Sequence, residues 1–100
     1  MPITVSVIVP AYNESAVISK TLDSLLQSQY PYFDIIVVDD GSSDGTSELV
    51  RERYRGDAKI QLHTRQNSGK GESINYGITH TDADIVIIID ADTILSPDAI

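Results

Sequence analysis

Residues Ile85 to Asp92 read Ile-Val-Ile-Ile-Ile-Asp-Ala-Asp, five β-branched residues followed by two carboxylates with one alanine between them. Branching at Cβ restricts a side chain in a helix and suits a pleated surface, so the run predicts a strand. It is apolar at every position, which suits a strand covered on both faces, as in a parallel sheet. Side chains two apart on extended backbone point the same way. Asp90 and Asp92 are therefore expected to converge at the strand's C-terminal tip. Paired carboxylates repel unless a cation or strong donors stand between them, and a divalent metal that also holds phosphate is the economical explanation.

The segment Asp34-Ile-Ile-Val-Val-Asp39-Asp40-Gly41 repeats the design: an aliphatic run, then carboxylates, then glycine. Between and around these two strands, helical spacing recurs. Ile18, Leu22, Leu25 and Leu26 fall on one face of a helix over about Ser15 to Ser28. The whole chain reads β-α-β-α-β-α-β. Its strands are expected at about Thr4 to Val9 (stopped by Pro10), Asp34 to Asp39, Ile60 to Thr64 and Ile85 to Ile89. The second helix is expected from Thr46 to Arg55, capped by Ser43 or Asp44, and a short third from Gly71 to Thr79, burying Ile74 and Ile78. Strands that alternate with helices imply a parallel sheet with right-handed crossovers. The fold class is α/β, a Rossmann-like three-layer α/β/α arrangement with a four-stranded, mainly parallel sheet. Such a sheet collects Pro10 to Glu14, Asp39 to Asp44, Arg65 to Glu72 and Asp90 to Thr93 on one edge, where ligands bind in open α/β sheets.

One hundred residues allow one small domain, and the hydrophobic fraction of 41% is ordinary. The formal charge of −8 argues against a nucleic-acid partner; Asp39, Asp40, Asp44, Asp90 and Asp92 supply part of it. There is no cysteine, so thiolate metal sites and disulfides are excluded. The apolar runs are too short to span a bilayer and no basic leader precedes the first strand, so a cytoplasmic chain is expected. Ser96-Pro97-Asp98 looks like a helix start, and with the chain stopping at Ile100 the sequence reads as the front part of a longer protein.

Each loop has a plain structural reading beside a functional one. Pro10-Ala11-Tyr12-Asn13-Glu14 is either a base-stacking and anion-receiving segment or a helix start capped by Asn13. Asp39 to Thr46 is either a strand-tip acceptor for base or ribose or a glycine turn. It also spaces Asp40, Ser42 and Asp44 before Gly45 like a calcium loop, but Arg51 stands where a bidentate glutamate is needed. Asn67-Ser68-Gly69-Lys70-Gly71-Glu72 can bring backbone and a lysine to an anion. It is not a P-loop, since Thr64 and Gly71 break that pattern, nor a dinucleotide fingerprint, since Ile74 replaces the third glycine. His63 and His80 look isolated. Tyr30, Tyr32 and Phe33 are expected to pack a helix-strand corner.

Taken together, Val7 to Glu14 (Val-Ile-Val-Pro-Ala-Tyr-Asn-Glu), Val37 to Thr46 (Val-Val-Asp-Asp-Gly-Ser-Ser-Asp-Gly-Thr), Asn67 to Gly71 with Asn75 beyond, and Asp90-Ala91-Asp92 stand in the order and spacing of family 2 glycosyltransferases. The resemblance covers essentially the whole chain. It implies the N-terminal half of a GT-A fold, the part that binds a nucleotide-diphosphate sugar. By that resemblance Pro10, Ala11, Tyr12 and Glu14 line the nucleoside site, with Tyr12 near the base. Asp40 binds the base edge, Asp39 supports its loop, and Lys70 lies near base or diphosphate. Asp90 and Asp92 form the DXD motif, with Asp92 the more direct ligand of Mg²⁺ or Mn²⁺ and Asp90 nearer the ribose or a metal-bound water. The donor implied is a nucleotide sugar, with a UDP-sugar favoured; the acceptor is a sugar or lipid-linked hydroxyl, and transfer proceeds with inversion. The general base lies beyond the DXD motif in that family, so no residue here is assigned to it and the chain alone is expected to be inactive. Relatives of this kind often carry transmembrane helices, so a membrane-bound parent fits, and an apolar cut surface would favour self-association. A phosphoacceptor receiver domain is a lesser rival, since it places its acidic pair after the first strand, where this chain has Pro-Ala-Tyr-Asn. A non-catalytic nucleotide-binding or folding fragment is the principal alternative, and an aspartate-nucleophile phosphatase fits less well, because Ile94 stands where that family needs Thr or Val.

Overall fold

The computed structural model describes residues 2–92. The segment Ser96 to Asp98, expected to start a helix, lies outside them. The chain runs β1 (Val5–Ala11), α1 (Ile18–Leu26), β2 (Phe33–Asp39), α2 (Thr46–Arg53), β3 (Ile60–Thr64), α3 (Lys70–Thr79) and β4 (Ile85–Ile88). The strands form one sheet in the order β3-β2-β1-β4, and every neighbouring pair is parallel. The expected α/β class and sheet are therefore present.

Alternation along β1 and β2 builds the three layers. Val5, Val7 and Val9 with Ile35 and Val37 face Ile18, Leu22 and Leu25 of α1 and Val50 of α2. Ile8, Ile36 and Val38 face the other way, with Tyr76 of α3 packed on them. Successive strand residues point to opposite faces, so both central strands carry apolar residues on each side, with Ser6 and Asp34 the polar pair near their N-terminal ends. Each fully buried Val, Leu or Ile contributes about 1.5–3 kcal/mol. After β3 the chain returns across the sheet to place β4 on the far side of β1. A right-handed crossover in that reversed direction puts α3 on the face opposite α1 and α2.

Four local expectations are corrected. Pro10 does not stop the first strand; it pairs with Val38 inside β1, which continues to Ala11. The Val5 N–H donates toward β2, to the Tyr32 carbonyl, so by alternation position 10 faces the β4 side, where pairing has ended at Ile8 and Ile88. The missing N–H of proline costs no ladder bond there. The first two helices are shorter than their patterns: α2 ends at Arg53, and α1 starts at Ile18 because Glu14 to Val17 form a turn, with Val17 and Ile18 N–H both on the Glu14 carbonyl. On α3 the buried residues are Ser73 and Gly77, while Ile78 is 43% exposed. A Cβ on Gly77 would lie 2.8 Å from Ile8 Cγ2, so α3 approaches β1 through its smallest residue. Finally, β4 is not covered on both faces: it is an edge strand with Ile85, Val86 and Ile88 exposed. Among the described residues no helix is long and apolar enough to cross a membrane.

Candidate functional site

The sheet order reverses between β1 and β4, and a crevice opens at that point beyond the strands' carboxyl ends. A cavity of about 210 Å³ lies there, lined by residues from four segments: Pro10, Ala11, Tyr12 and Glu14 after β1, Asp40 after β2, Lys70 at the start of α3, and Asp90 to Asp92 after β4. Asp40 and Asp92 thus share one cavity.

The register makes this convergence. Ala11, Asp39 and Thr64 stand side by side in the ladder. The next residues continue it, with Asp40 N–H on the Ala11 carbonyl and Arg65 N–H on the Asp39 carbonyl. Beyond that row the loops are tied to one another by side chains. Asn13 adopts a left-handed conformation (φ 53°). Its N–H donates to Ser42 Oγ (2.8 Å), and its Oδ1 accepts from the Ser43 N–H (2.8 Å). It is a bridge between loops rather than a helix cap. Asp44 accepts from the Ser15 N–H and hydroxyl and from the Thr46 N–H and hydroxyl. Those donors, the Thr46 hydroxyl foremost, hold its pKa down at about 2. Asp44 therefore buttresses two loops from behind; the expected cap by Ser43 or Asp44 is corrected, since Gly45 takes the N-cap position of α2 without a side-chain cap bond, although Asp44 Oδ1 accepts from the Thr46 N–H at the helix's first residue.

Asp39 and Asp40 divide sharply. Asp39 is fully buried; Ser42 donates its N–H and hydroxyl to Oδ1, and Ser47 donates its hydroxyl to Oδ2. It is outside the cavity and supports the turn. Asp40 is 5% exposed and lines the cavity. Its Oδ1 accepts from the Ser68 N–H (2.8 Å) and hydroxyl (3.3 Å), and its Oδ2 from the Gly69 N–H (2.9 Å). Burial works to raise its pKa, but these donors together with the Ser73 hydroxyl outweigh burial and keep it low. The clasp is close: a Cβ on Gly41 (φ +79°) would lie 2.8 Å from the Asn67 backbone nitrogen.

On the opposite wall, Ala91 is 2% exposed and its carbonyl accepts from the buried Thr21 hydroxyl of α1 at 2.6 Å. With Ala91 turned inward, Asp90 and Asp92 are exposed on the cavity side. Lys70 donates to Asp90 Oδ1 across the cavity. Glu14 carries a raised pKa, first through burial and then through Asp92, Asp44 and Asp90, against which Lys70 acts. The cavity thus gathers carboxylates around a single lysine. No three His, Asp or Glu side chains form a metal cage by themselves among the described residues. Two carboxylates with open positions still fit Mg²⁺ or Mn²⁺, which bind through one or two carboxylates plus phosphate and water.

The structure brings together every site residue expected from the sequence except Asp39. Sequence reasoning missed the fasteners Asn13, Ser42, Ser68 and Thr21, whose only signal was an excess of small polar residues flanking the acidic ones. It also took His63 and His80 as isolated. They form one group with Tyr76: His80 stacks on Tyr76 at 4.1 Å between centroids, and His63 lies tilted to His80 at 4.9 Å and edge-on to Tyr76. Burial and then His80 lower the His63 pKa. At the corner, Phe33 is buried as expected, but Tyr32 is 49% exposed.

The family model described as Glycosyl transferase family 2 matches residues 6–100. A poly-beta-1,6-N-acetyl-D-glucosamine synthase from Staphylococcus aureus is 37% identical over 95 residues, covering 95% of this chain and 23% of that protein. The chain therefore spans about a quarter of the curated relatives it matches. A mannosyltransferase from Pyrobaculum calidifontis, solved with GDP-Man and Mn²⁺, superposes with a TM-score of 0.84 at 36% identity, covering 90% of this chain and 28% of that one. TarS from S. aureus, solved with UDP, superposes at 0.87 with 32% identity, covering 96% and 29%.

Proposed function

This chain belongs to glycosyl transferase family 2, and from that membership we propose that it forms the donor-binding part of a metal-dependent, inverting glycosyltransferase using a nucleotide-diphosphate sugar, UDP-linked in preference. The observation that carries this reading is the cavity itself, where Asp40, from one strand tip, meets Asp90 and Asp92, from another, beside Tyr12 and Lys70. The solved relatives hold UDP or GDP-Man with Mn²⁺ in their own structures.

Each side chain then has a defined part. The exposed ring of Tyr12 offers a face for the base. Asp40, ionised and immobilised by its loop donors, accepts a base N–H. Lys70 exchanges its partner, leaving Asp90 for the diphosphate and neutralising charge on the leaving group. Asp92, with Asp90, would hold Mg²⁺ or Mn²⁺, which supplies Lewis-acid stabilisation of the departing nucleoside diphosphate. Glu14 adds negative charge at the same wall, which raises the demand for a cation there. The acceptor is a hydroxyl of a sugar or lipid-linked molecule, and its deprotonation needs a carboxylate base that none of these residues provides. The hundred residues alone are expected to transfer no sugar, and measured transfer by them overturns that point.

Calorimetric titration with UDP and GDP, with and without Mn²⁺, tests the reading. UDP is expected to bind more tightly than GDP, and Mn²⁺ to strengthen binding about tenfold, roughly 1.4 kcal/mol. Asp92→Asn abolishes the Mn²⁺ increment while leaving metal-free UDP binding in place. A folded protein that binds neither nucleotide overturns the proposal.

A further inference from the structure

Ser73 carries the most unusual hydroxyl in the chain. It is fully buried, and its Oγ is the one buried side-chain polar atom without a hydrogen-bond partner among the described residues. Leaving a buried hydroxyl unpaired is costly, and alanine is the better helix former at such a position. The hydroxyl therefore needs a reason.

Its surroundings supply one. Ser73 sits on the first turn of α3, its N–H on the Gly69 carbonyl at 3.1 Å. Gly69 in turn donates its own N–H to Asp40 Oδ2 at 2.9 Å, and Ser68 occupies Oδ1. The Ser73 hydroxyl completes no hydrogen bond of full geometry, yet it lies near enough to act with the loop donors in keeping the Asp40 carboxyl ionised. Asp40 is the only one of these groups that lines the cavity. We propose that Ser73 is a positioning residue for base selection: its hydroxyl closes onto the Asp40 carboxylate when a base docks, and holds that carboxylate as a fixed acceptor.

The consequence is chemical. An ionised carboxylate only accepts hydrogen bonds. It matches a base edge with a ring N–H, as in uracil or guanine, and repels one with a ring acceptor at the same place, as in cytosine. A carboxylate free to turn, or to take a proton, discriminates less. This inference rests on the nucleotide-binding reading above, and it adds a residue that touches neither nucleotide nor metal.

The test compares UDP and CDP binding, with Mn²⁺, to the full protein and to Ser73→Ala, Asp40→Asn and the double variant. Ser73→Ala is expected to weaken UDP about fivefold to tenfold, to narrow the UDP-to-CDP ratio by a similar factor, and to leave the thermal midpoint unchanged or higher. Asp40→Asn removes most of the ratio, and adding Ser73→Ala to it changes nothing more. Equal weakening of UDP and CDP, or a lowered midpoint with an unchanged ratio, marks a purely structural serine and overturns the proposal. So does wild-type behaviour of Ser73→Ala beside a defective Asp40→Asn, and that result leaves the nucleotide-binding reading standing. A wild type that binds neither nucleotide overturns the reading itself.

Discussion

Thr21 shows how one side chain on a helix sets the chemistry of a strand tip. Its hydroxyl holds the Ala91 carbonyl in the core, and that contact turns Asp90 and Asp92 outward. Thr21→Val keeps the shape but strands a buried carbonyl, so it is expected to destabilise by about 1–3 kcal/mol and to weaken Mn²⁺ binding as the tripeptide loosens; chemical denaturation and metal titration check both. Asp44 acts in the same manner between two loops, and its sign with pH is definite. Its carboxyl falls from 3.8 to about 2 on folding, so the stability it contributes is fully present above the unfolded value and disappears as pH drops through about 2. The gap in thermal midpoint between wild type and Asp44→Asn is expected to be full above about pH 4 and to close near pH 2. At this scale the residues alone showed the acidic tips; their division of labour was implied only by the family resemblance, and the structure supplies its physical basis. Asp39 and Asp40 are adjacent and chemically identical; only the direction of the strand's last residue decides which is buried among Ser42 and Ser47 and which reaches the cavity.

Among the elements, α3 departs most from its pattern. Helical spacing nominated Ile74 and Ile78 as its buried face, yet Ser73 and Gly77 meet the sheet. The helix lies one position around from the apolar stripe because Gly77 admits Ile8. Gly77→Ala forces methyl against methyl at a fully buried contact, with an expected loss of about 1–3 kcal/mol and displacement of the Lys70 end. Urea denaturation reads the first, and weaker UDP binding reads the second. Gly41→Ala is expected to be worse for binding than for folding. The left-handed backbone and the approach of the Asn67 amide both exclude a side chain, so the loop that carries Ser68 and Gly69 must lift off Asp40. The strand pattern, by contrast, was legible almost to the residue for β2 and β3, since the β-branched run Ile35 to Val38 between two aspartates suits a strand buried on both faces, and Ile60 and Leu62 alternate with more polar neighbours.

Across the whole molecule, β1 and β2 are buried while β4 presents Ile85, Val86 and Ile88 to solvent at the sheet's edge. An apolar edge strand pairs readily with another chain, so these hundred residues on their own are expected to self-associate. Ile88→Lys, placed on the exposed strand, should shift sedimentation toward the monomer without loss of helical and sheet content. The sequence by itself determined the order of strands and helices, the parallel sheet and the identity of the acidic tips, because those depend on side-chain branching and period, which are local. Only the tertiary structure decided that the reversal of strand order opens its crevice beside β1, that Pro10 passes through the sheet, and that small hydroxyls and backbone amides from separate loops hold each carboxylate in place. Those outcomes depend on which segments become neighbours after the chain has turned back, and no spacing along the sequence encodes a contact between residues 40 and 68 or between 21 and 91.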